Sequence, residues 1–494
     1  MNRFIIILAC ICFGLELSAQ NLYDQYYMMG RYSGLISFAV PDTVTATFPV
    51  SWKLSPIATL AFICDKNGNP QFYTNGAQIG AISGDTLLAS GMIDMAVSYD
   101  YGHGMPMQQG AIILPKNDCQ YYCIYYSVSD SFYNLGYNQP NRLYYALVDM
   151  CANNGRGQVL SVKNIIYNDF MGMCRMTACK HANGRDWWLV VHGDEDNNYF
   201  KFLVTPDSIF GPSQQQIGRA ELEGVLGQAV FSSDGSKYAS ITGNSPLVLL
   251  DFDRCTGEFS NPISINVPFL YPYQISGSGA LGCAFSPSGR YIYVNEYSQI
   301  VQFDLLADTI QNTMALAGEY IYDSSGQQYT DIFNSAYLAP NGKIYFDNSG
   351  GGPKCFHVIN YPDSVAANCG YDKNGICLSY VGAYPISNMP HYRLGALAGS
   401  ACDTLNTSVS AIQQEAKSLL LIRPNPASDN VMVSLTEYMK NAMLQITDVT
   451  GKMVYESKQF YLDDLINVNK WAKGEYFVKV SNGVKVEVAK FSKQ

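Results

Sequence analysis

Along most of the chain, short apolar runs break at a polar turn and resume as tyrosine-rich runs. Ala229-Val230-Phe231 passes through Ser232-Ser233-Asp234-Gly235-Ser236 to Lys237-Tyr238. Ala284-Phe285 passes through Ser286-Pro287-Ser288-Gly289-Arg290 to Tyr291-Ile292-Tyr293, and Tyr337-Leu338-Ala339 through Pro340-Asn341-Gly342-Lys343 to Ile344-Tyr345. Asp-Gly, Ser-Gly and Asn-Gly supply the positive-φ positions that a tight hairpin needs, so each unit predicts two antiparallel strands. The copies start about 54 residues apart, a blade-like spacing. In the 229 copy a second hairpin follows: a strand over 247–253, a turn at Thr256-Gly257 and an outer strand over 259–265.

Four strands per repeat predict a β-propeller. Three earlier units keep the same grammar. Leu60-Ala61-Phe62-Ile63 leads to Gln71-Phe72-Tyr73-Thr74, Ala111-Ile112-Ile113-Leu114-Pro115 leads to the tyrosines of 121–126, and Thr177-Ala178-Cys179 leads to Trp187-Trp188-Leu189. With six inner hairpins visible, a seventh blade could join 21–52 to 387–402, since sharing a blade between the chain's ends removes exposed edges. The expectation is therefore all-β, a six- or seven-bladed propeller with seven favoured. A large β-sandwich array is the rival, but it would not keep the period.

The pattern changes near the end. Residues 403–418 are polar without apolar periodicity and read as a linker. Short apolar strands then follow at Leu420-Leu421-Ile422, 431–435, 442–447, 452–455, 476–480 and 485–488, enough for a small C-terminal β-sandwich. The expected organisation is a signal peptide at 1–19, the propeller at 20–402, the linker at 403–418 and the sandwich at 419–494. Residues 419–494 hold ten Lys or Arg and eight Asp or Glu, near +2, against −10 for the whole chain.

The first residues carry Arg3, an apolar stretch from Phe4 to Leu15, and Ser18-Ala19 before Gln20, the form of a cleavable signal peptide. The stretch is too short to span a bilayer. A lipoprotein reading at Leu8-Ala9-Cys10 would leave almost no hydrophobic stretch ahead of the cysteine. The composition, 15% charged and 13% aromatic with 37 Tyr, suits a β-rich extracellular protein. Net charge of −10 and no basic cluster argue against nucleic acid as a partner. Of 14 cysteines, Cys10 and Cys12 leave with the signal; the other twelve suggest disulfides, with buried free thiols as the alternative. The pairing cannot be read from the sequence, though Cys369 and Cys377 flank Asn374-Gly375 and could bridge a hairpin there. Zinc-type spacings are missing.

Two resemblances follow from these pieces. Asp65-Lys66-Asn67-Gly68-Asn69, 180–188, Asp253-Arg254-Cys255-Thr256-Gly257 and Phe285-Ser286-Pro287-Ser288-Gly289-Arg290-Tyr291 resemble secreted WD40-like or lactonase-like propellers of Bacteroidetes-type bacteria. In the tail, Pro424-Asn425-Pro426-Ala427, Asp448-Val449-Thr450-Gly451-Lys452 and Gly474-Glu475-Tyr476 resemble the type A C-terminal sorting domain of the type IX (Por) secretion system. The second resemblance implies periplasmic transit, outer-membrane passage through the type IX machinery, removal of the tail by its sortase and attachment to surface lipopolysaccharide. An ordinary stalk-like sandwich is the alternative. The ending Lys490-Phe491-Ser492-Lys493-Gln494 runs slightly past the expected basic, apolar finish.

Nucleophile elbows, HExxH helices and phosphate-cradling loops are missing from the propeller sequence. His181, His192, Asp194 and His391 are the candidate catalytic residues, because hairpins projecting them to one mouth would bring imidazole and carboxylate together. The bland reading is a solvated acidic loop and a hairpin-capping histidine. Asp65, Asn67 and Asn69 are candidate calcium ligands, calcium being the one cofactor suggested; Asx-turn chemistry explains them equally. Tyr121-Tyr122, Tyr125-Tyr126 and Trp187-Trp188 could stack on glycan rings or pack as core. The sequence thus points to an exported surface or secreted binding module for a glycan or protein ligand. A secreted hydrolase or lactonase-type enzyme with its site at one mouth of the channel is the alternative.

Overall fold

The computed structural model describes residues 21–29, 34–40, 43–47, 54, 56, 58–82, 86–93, 104–128, 139–220, 227–243, 245–267, 280–296, 299–319, 321–324, 327–330, 333–348, 355–377, 385–403, 420–435, 439, 442–449, 452–482 and 486–494. The expected signal peptide lies outside them, as does nearly all of the expected linker. The chain divides into two compact units, Met1–Leu405 and Asn406–Gln494.

In the first unit, β1–β3 (Tyr26–Met29, Gly34–Val40, Thr43–Thr47) make a three-stranded antiparallel sheet. Four-stranded sheets follow in chain order: β4–β7 (Ala61–Cys64, Pro70–Thr74, Ile79–Ala81, Thr86–Ala89), β8–β11 (Ala111–Pro115, Gln120–Ser127, Arg142–Asp149, Gln158–Tyr167) and β12–β15 (Thr177–Lys180, Trp187–His192, Asn198–Val204, Ile209–Gln216). Next come β16–β19 (Gly227–Phe231, Lys237–Thr242, Leu247–Phe252, Phe259–Ile265) and β20–β23 (Ala280–Phe285, Tyr291–Glu296, Gln299–Asp304, Ala315–Glu319). A hairpin, β24–β25 (Ile321–Ser324, Gln327–Thr330), precedes the last sheet, β26–β29 (Phe333–Leu338, Ile344–Asn348, Cys355–Ile359, Tyr371–Cys377).

Each four-stranded sheet is a meander whose strands pair in chain order. The first strands lie side by side: β4 packs on β8, β12 on β16, β16 on β20 and β20 on β26. Sheets arranged this way around a shared centre form a β-propeller. Packing of one blade on the next buries both faces of the middle strands, so every residue of β13 and β21 is buried. Outer strands such as β15 and β19 face solvent along most of their length. Blades are also joined by polar links. The Lys201 side chain, fully buried, reaches Glu258 Oε1 at 2.8 Å and Gln215 Oε1 at 2.9 Å, tying the third four-stranded blade to the fourth.

Three amide side chains hold the centre. Gln228, in β16, donates to the Ala336 carbonyl at 2.7 Å and accepts from the amides of Cys283 (3.1 Å) and Ala336 (2.9 Å), stapling β16 to β20 and β26. Gln109 donates to the Ala229 carbonyl and accepts from the Ala229 amide. Asn388 donates to the carbonyls of Ala111 and Met176 and accepts from Gln109.

Asn388 belongs to a segment, 385–403, that passes through the ring after the last blade. It begins beside β1 and β4, where Ser387 Oγ donates to the Met28 carbonyl and the Asn388 amide to the Leu60 carbonyl. It continues past the far ends of the inner strands. There His391 meets the Phe231 carbonyl, Tyr392 the Ile113 carbonyl, and Arg393 Nε the Asp24 carboxylate at 2.7 Å. It then leaves over the hairpin turns: Arg254 donates to the Gly395 carbonyl, the Leu397 amide to the Ala182 carbonyl, and Cys402 is disulfide-bonded to Cys255.

The other disulfides are Cys119–Cys151 and Cys355–Cys377. The Cys369–Cys377 bridge is not formed. Asn374-Gly375 lies inside β29 instead of at a hairpin turn, and Cys377 sits opposite Cys355 in the ladder. Gly375 is needed for proximity: a Cβ there would come 2.2 Å from Val358 Cγ2. Cys369 is buried as a free thiol, as are Cys64, Cys123, Cys174, Cys179 and Cys283.

The second unit is a sandwich of β30–β36 (Leu420–Arg423, Asn430–Leu435, Ala442–Asp448, Met453–Phe460, Asp463–Asn467, Gly474–Ser481, Val486–Lys493). One sheet has the order β30-β31-β34 and the other β33-β32-β35-β36. Alternating residues such as Val431, Val433, Leu444, Ile446, Val478 and Val480 are buried between them. Strand β34 was not expected, because Asp463-Asp464-Leu465-Ile466-Asn467 buries only Ile466 and its apolar pattern is too sparse to read.

Replacing Gln228 with Leu leaves three backbone groups at the ring's centre without their partner. At about 1–3 kcal/mol per orphaned buried group, the Gln228→Leu protein should lose about 3 kcal/mol or more in chemical denaturation. A loss under about 0.5 kcal/mol, the level of an ordinary surface change, would refute the staple.

Candidate functional site

The three candidate histidines serve three different pieces of backbone. The Asn183 amide donates to His181 Nδ1 at 3.0 Å, which leaves Nε2 to donate to the Cys255 carbonyl at 3.1 Å; the ring lies against Trp188. His192 is buried edge-on to Tyr199, with Nδ1 2.8 Å from the Gly193 carbonyl. Asp194 sits in the loop that follows. His391 places Nε2 3.1 Å from the Phe231 carbonyl, and burial pulls its pKa below the ordinary histidine value. Among the described residues, no group of three or more His, Cys, Asp or Glu is arranged to hold a metal ion.

Asp65, Asn67 and Asn69 form a self-contained turn. Asp65 Oδ1 accepts the amides of Asn67 (2.8 Å) and Asn69 (2.9 Å), and Oδ2 accepts the Asn69 side chain at 2.9 Å. Hydrogen bonds to its own loop give this turn its shape.

The aromatic pairs are core. Tyr121, Tyr122, Tyr125, Tyr126, Trp187 and Trp188 are all buried, so none offers a ring to a sugar. Strand alternation would free half of them only if one blade face met solvent, and in this ring both meet neighbouring blades.

The centre of the ring contains a cavity of about 30 Å³, lined by Gln109, Ala229, Phe231, Tyr337, Asn388 and His391 among others. That is room for one or two water molecules. Lys180 has the most perturbed amine: burial, helped by Arg254, pulls it down to about 7, with Nζ 3.8 Å over the Trp187 ring. It lies outside the cavity lining. Sequence reasoning missed Gln109, Gln228 and Asn388. Their signal was a neutral amide inside or next to an apolar inner strand, where an unpaired polar side chain would be costly.

In the tail, Asn425, Ala427, Gly474 and Tyr476 of the predicted motifs meet around the last strand. The Ala427 amide donates to the Ser492 carbonyl, and the Gln494 amide to the Ala427 carbonyl. Asn425 completes the clamp, accepting from the Ser492 amide at 3.0 Å and donating to the Lys490 carbonyl at 3.3 Å. Pro424 and Pro426 flank it, both exposed. Asp448 and Lys452 close the β32–β33 turn through two bonds, one to the Asp448 carboxylate; Gly451 lies outside the described residues. Gly474 opens β35 at φ 150°. Tyr476 stacks on Phe491 at 5.5 Å and donates to the Ala472 carbonyl at 2.8 Å.

Residues 421–494 match the family model of the secretion system C-terminal sorting domain. The sorting domain directs the chain to the cell surface or extracellular space by the type IX route, and the type IX machinery is its partner. Within it Asn425, Ala427, Asp448, Lys452 and Tyr476 hold strand ends and a turn by hydrogen bonds.

No curated protein matches the sequence. Among solved structures, the chain is similar to a putative 6-phosphogluconolactonase from Bacteroides uniformis, at 14% identity over 74% of this chain and 99% of that one, with a TM-score of 0.45. It is also similar to the periplasmic gluconolactonase PpgL of Pseudomonas aeruginosa, at 10% identity over 90% and 99%, TM-score 0.36. A third is PorZ, a bacterial surface component of the type IX secretion system of Porphyromonas gingivalis, at 12% identity over 95% and 69%, TM-score 0.27. At these scores the likenesses bear on neither activity nor ligand.

Two outcomes are expected. A base whose folded pKa is depressed lends stability above its unfolded pKa and loses it as pH falls, because the unfolded chain binds the proton first. The stability advantage of the native protein over His391→Gln should therefore shrink below pH ~6.5, by up to about 1.4 kcal/mol per pH unit, as read by denaturation from pH 8 to 5. In cell fractionation, chains ending near Ser418 should accumulate in the periplasm, and full-length Asn425→Ala should shift the same way with faster proteolysis of 486–494. Normal delivery of the truncated chain would contradict the sorting role.

Proposed function

We propose that the propeller is a non-catalytic interaction module displayed outside the cell, with the sorting domain as its address. The observation that carries this reading is the filled centre of the ring. Among the described residues, the chain's own segment 385–397 occupies the axis of the ring, and the cavity that Gln109, Asn388 and His391 line there, about 30 Å³, is smaller than a sugar lactone. The candidate histidines point the same way, each bonded to a backbone carbonyl instead of facing a shared cleft.

The ligand is a glycan or a protein. With Tyr121-Tyr122, Tyr125-Tyr126 and Trp187-Trp188 inside, recognition falls to the outer blade surfaces, where Leu160, Ile165 and Phe210 are exposed. In this reading β1–β3 is the seventh blade, closed by the start of the 385–397 segment. The sortase removes the tail after outer-membrane passage, and the released carboxyl end is joined to surface lipopolysaccharide.

The test uses the purified full chain in two assays. Binding to at least one member of a panel of glycans and extracellular proteins, with no turnover of lactones, esters or glycosides, is the expected result. Saturable hydrolysis that tracks the protein through purification would overturn the non-catalytic reading, and its loss in His181→Ala, His192→Ala or His391→Ala would place the site at that residue.

A further inference from the structure

The segment through the ring is held in two different ways. Along the axis it is seated by hydrogen bonds from Asn388, His391, Tyr392 and Arg393 to β8, β16, the Met176 carbonyl and Asp24. Beyond the turns the grip thins to the Leu397 amide on Ala182 and the Arg254 guanidinium on Gly395. One residue before the end of the described body, Cys402 is joined to Cys255, in the turn between β18 and β19. Their sequence separation of 147 makes this a far longer closure than the 32 of Cys119–Cys151 or the 22 of Cys355–Cys377.

We propose that Cys255–Cys402 is a latch that keeps residues 385–403 in the axis of the ring and stops them from being drawn out from their C-terminal end. The chain beyond Asp403 leads to the sorting domain, which the export machinery engages. Tension or cutting there acts first on the exit of this segment, where, among the described residues, the bonds of Gly395 and Leu397 and the packing of Leu394 would resist it without the latch. Once the segment leaves, the Ala111, Ile113, Met176 and Phe231 carbonyls lose their partners, and Gln109 loses its bond to Asn388, so the centre of the ring opens.

The latch closes by thiol–disulfide exchange. The two thiols lose two electrons and two protons to an external disulfide, which becomes a dithiol as the Sγ–Sγ bond forms. Both cysteines are part-exposed, so a soluble reductant reaches the bond in the folded protein. Asp253 and Thr256 beside Cys255 are exposed, and Asp403 beside Cys402 is part-exposed.

The proposal is independent of whether the propeller binds or catalyses. Its test is hydrogen exchange read by mass spectrometry on the full chain in native buffer. Three forms are compared: the oxidised protein, the same folded protein after mild reduction, and Cys255→Ser/Cys402→Ser. The Cys119→Ser/Cys151→Ser protein controls for general loosening. Reduction and the Cys255/Cys402 variant should speed exchange at least tenfold in peptides covering 388–402, with β16 and β20 still protected and the control unchanged. Unchanged exchange in 388–402 would show that the axial bonds suffice and overturn the latch. Equal acceleration across β8, β16 and β20 would overturn it too, because the segment would then be part of one cooperative core; the reduction arm gives this answer even if the variant does not fold.

Discussion

A ring of sheets creates one place where backbone has nowhere to go. The first strand of every blade points an edge at the axis, and each peptide group on that edge must find a partner in a space too narrow for bulk water. This protein meets the constraint with amides. Gln228 reaches across to two neighbouring inner strands, Gln109 takes both groups of Ala229, and Asn388 brings a donor for the carbonyls of Ala111 and Met176. An amide side chain is suited to the task because it donates and accepts at once and carries no charge to desolvate.

The filled centre explains much of the rest. Among the described residues, the candidate histidines and acids make local backbone bonds: His181 and Asp65 shape turns, and His391 secures the segment in the axis. The aromatics follow the same logic. A tyrosine in a middle strand such as β9 meets a neighbouring blade on either face, and rings like Tyr121 against Phe72 and Tyr199 against Tyr238 pack edge to face between blades.

The fold was largely legible because its signal is periodic. The six inner hairpins fall where the polar turns Asp234-Gly235, Ser288-Gly289, Asn341-Gly342 and their earlier equivalents place them, since a positive-φ residue between two apolar runs has few other uses. Contacts that depend on residues far apart left no such mark. Asn374-Gly375 reads as a turn, yet Gly375 is small to admit Val358, a requirement set by a strand sixteen or so residues away in the ladder. Strand β34 escaped because an edge strand that buries one side chain has almost no apolar period. The amide staples escaped for a different reason: a glutamine in an apolar strand shows that a partner is needed but not which one.

In the sorting domain, legible sequence and physical role meet most directly. A motif that a transporter reads is easily taken for a set of contact residues, but here Asn425 and Ala427 run alongside β36 and give its outer edge hydrogen-bond partners, while Tyr476 stacks on Phe491 from the neighbouring strand. An uncovered terminal strand is a template for pairing with other chains and the first part of a sandwich to fray. Pinning it keeps the domain folded up to its last residues. The same sheet keeps Phe477 and Val488 exposed on its outer face, so the pinning of β36 by Asn425 and Ala427 and the burial of Phe491 leave that face unchanged.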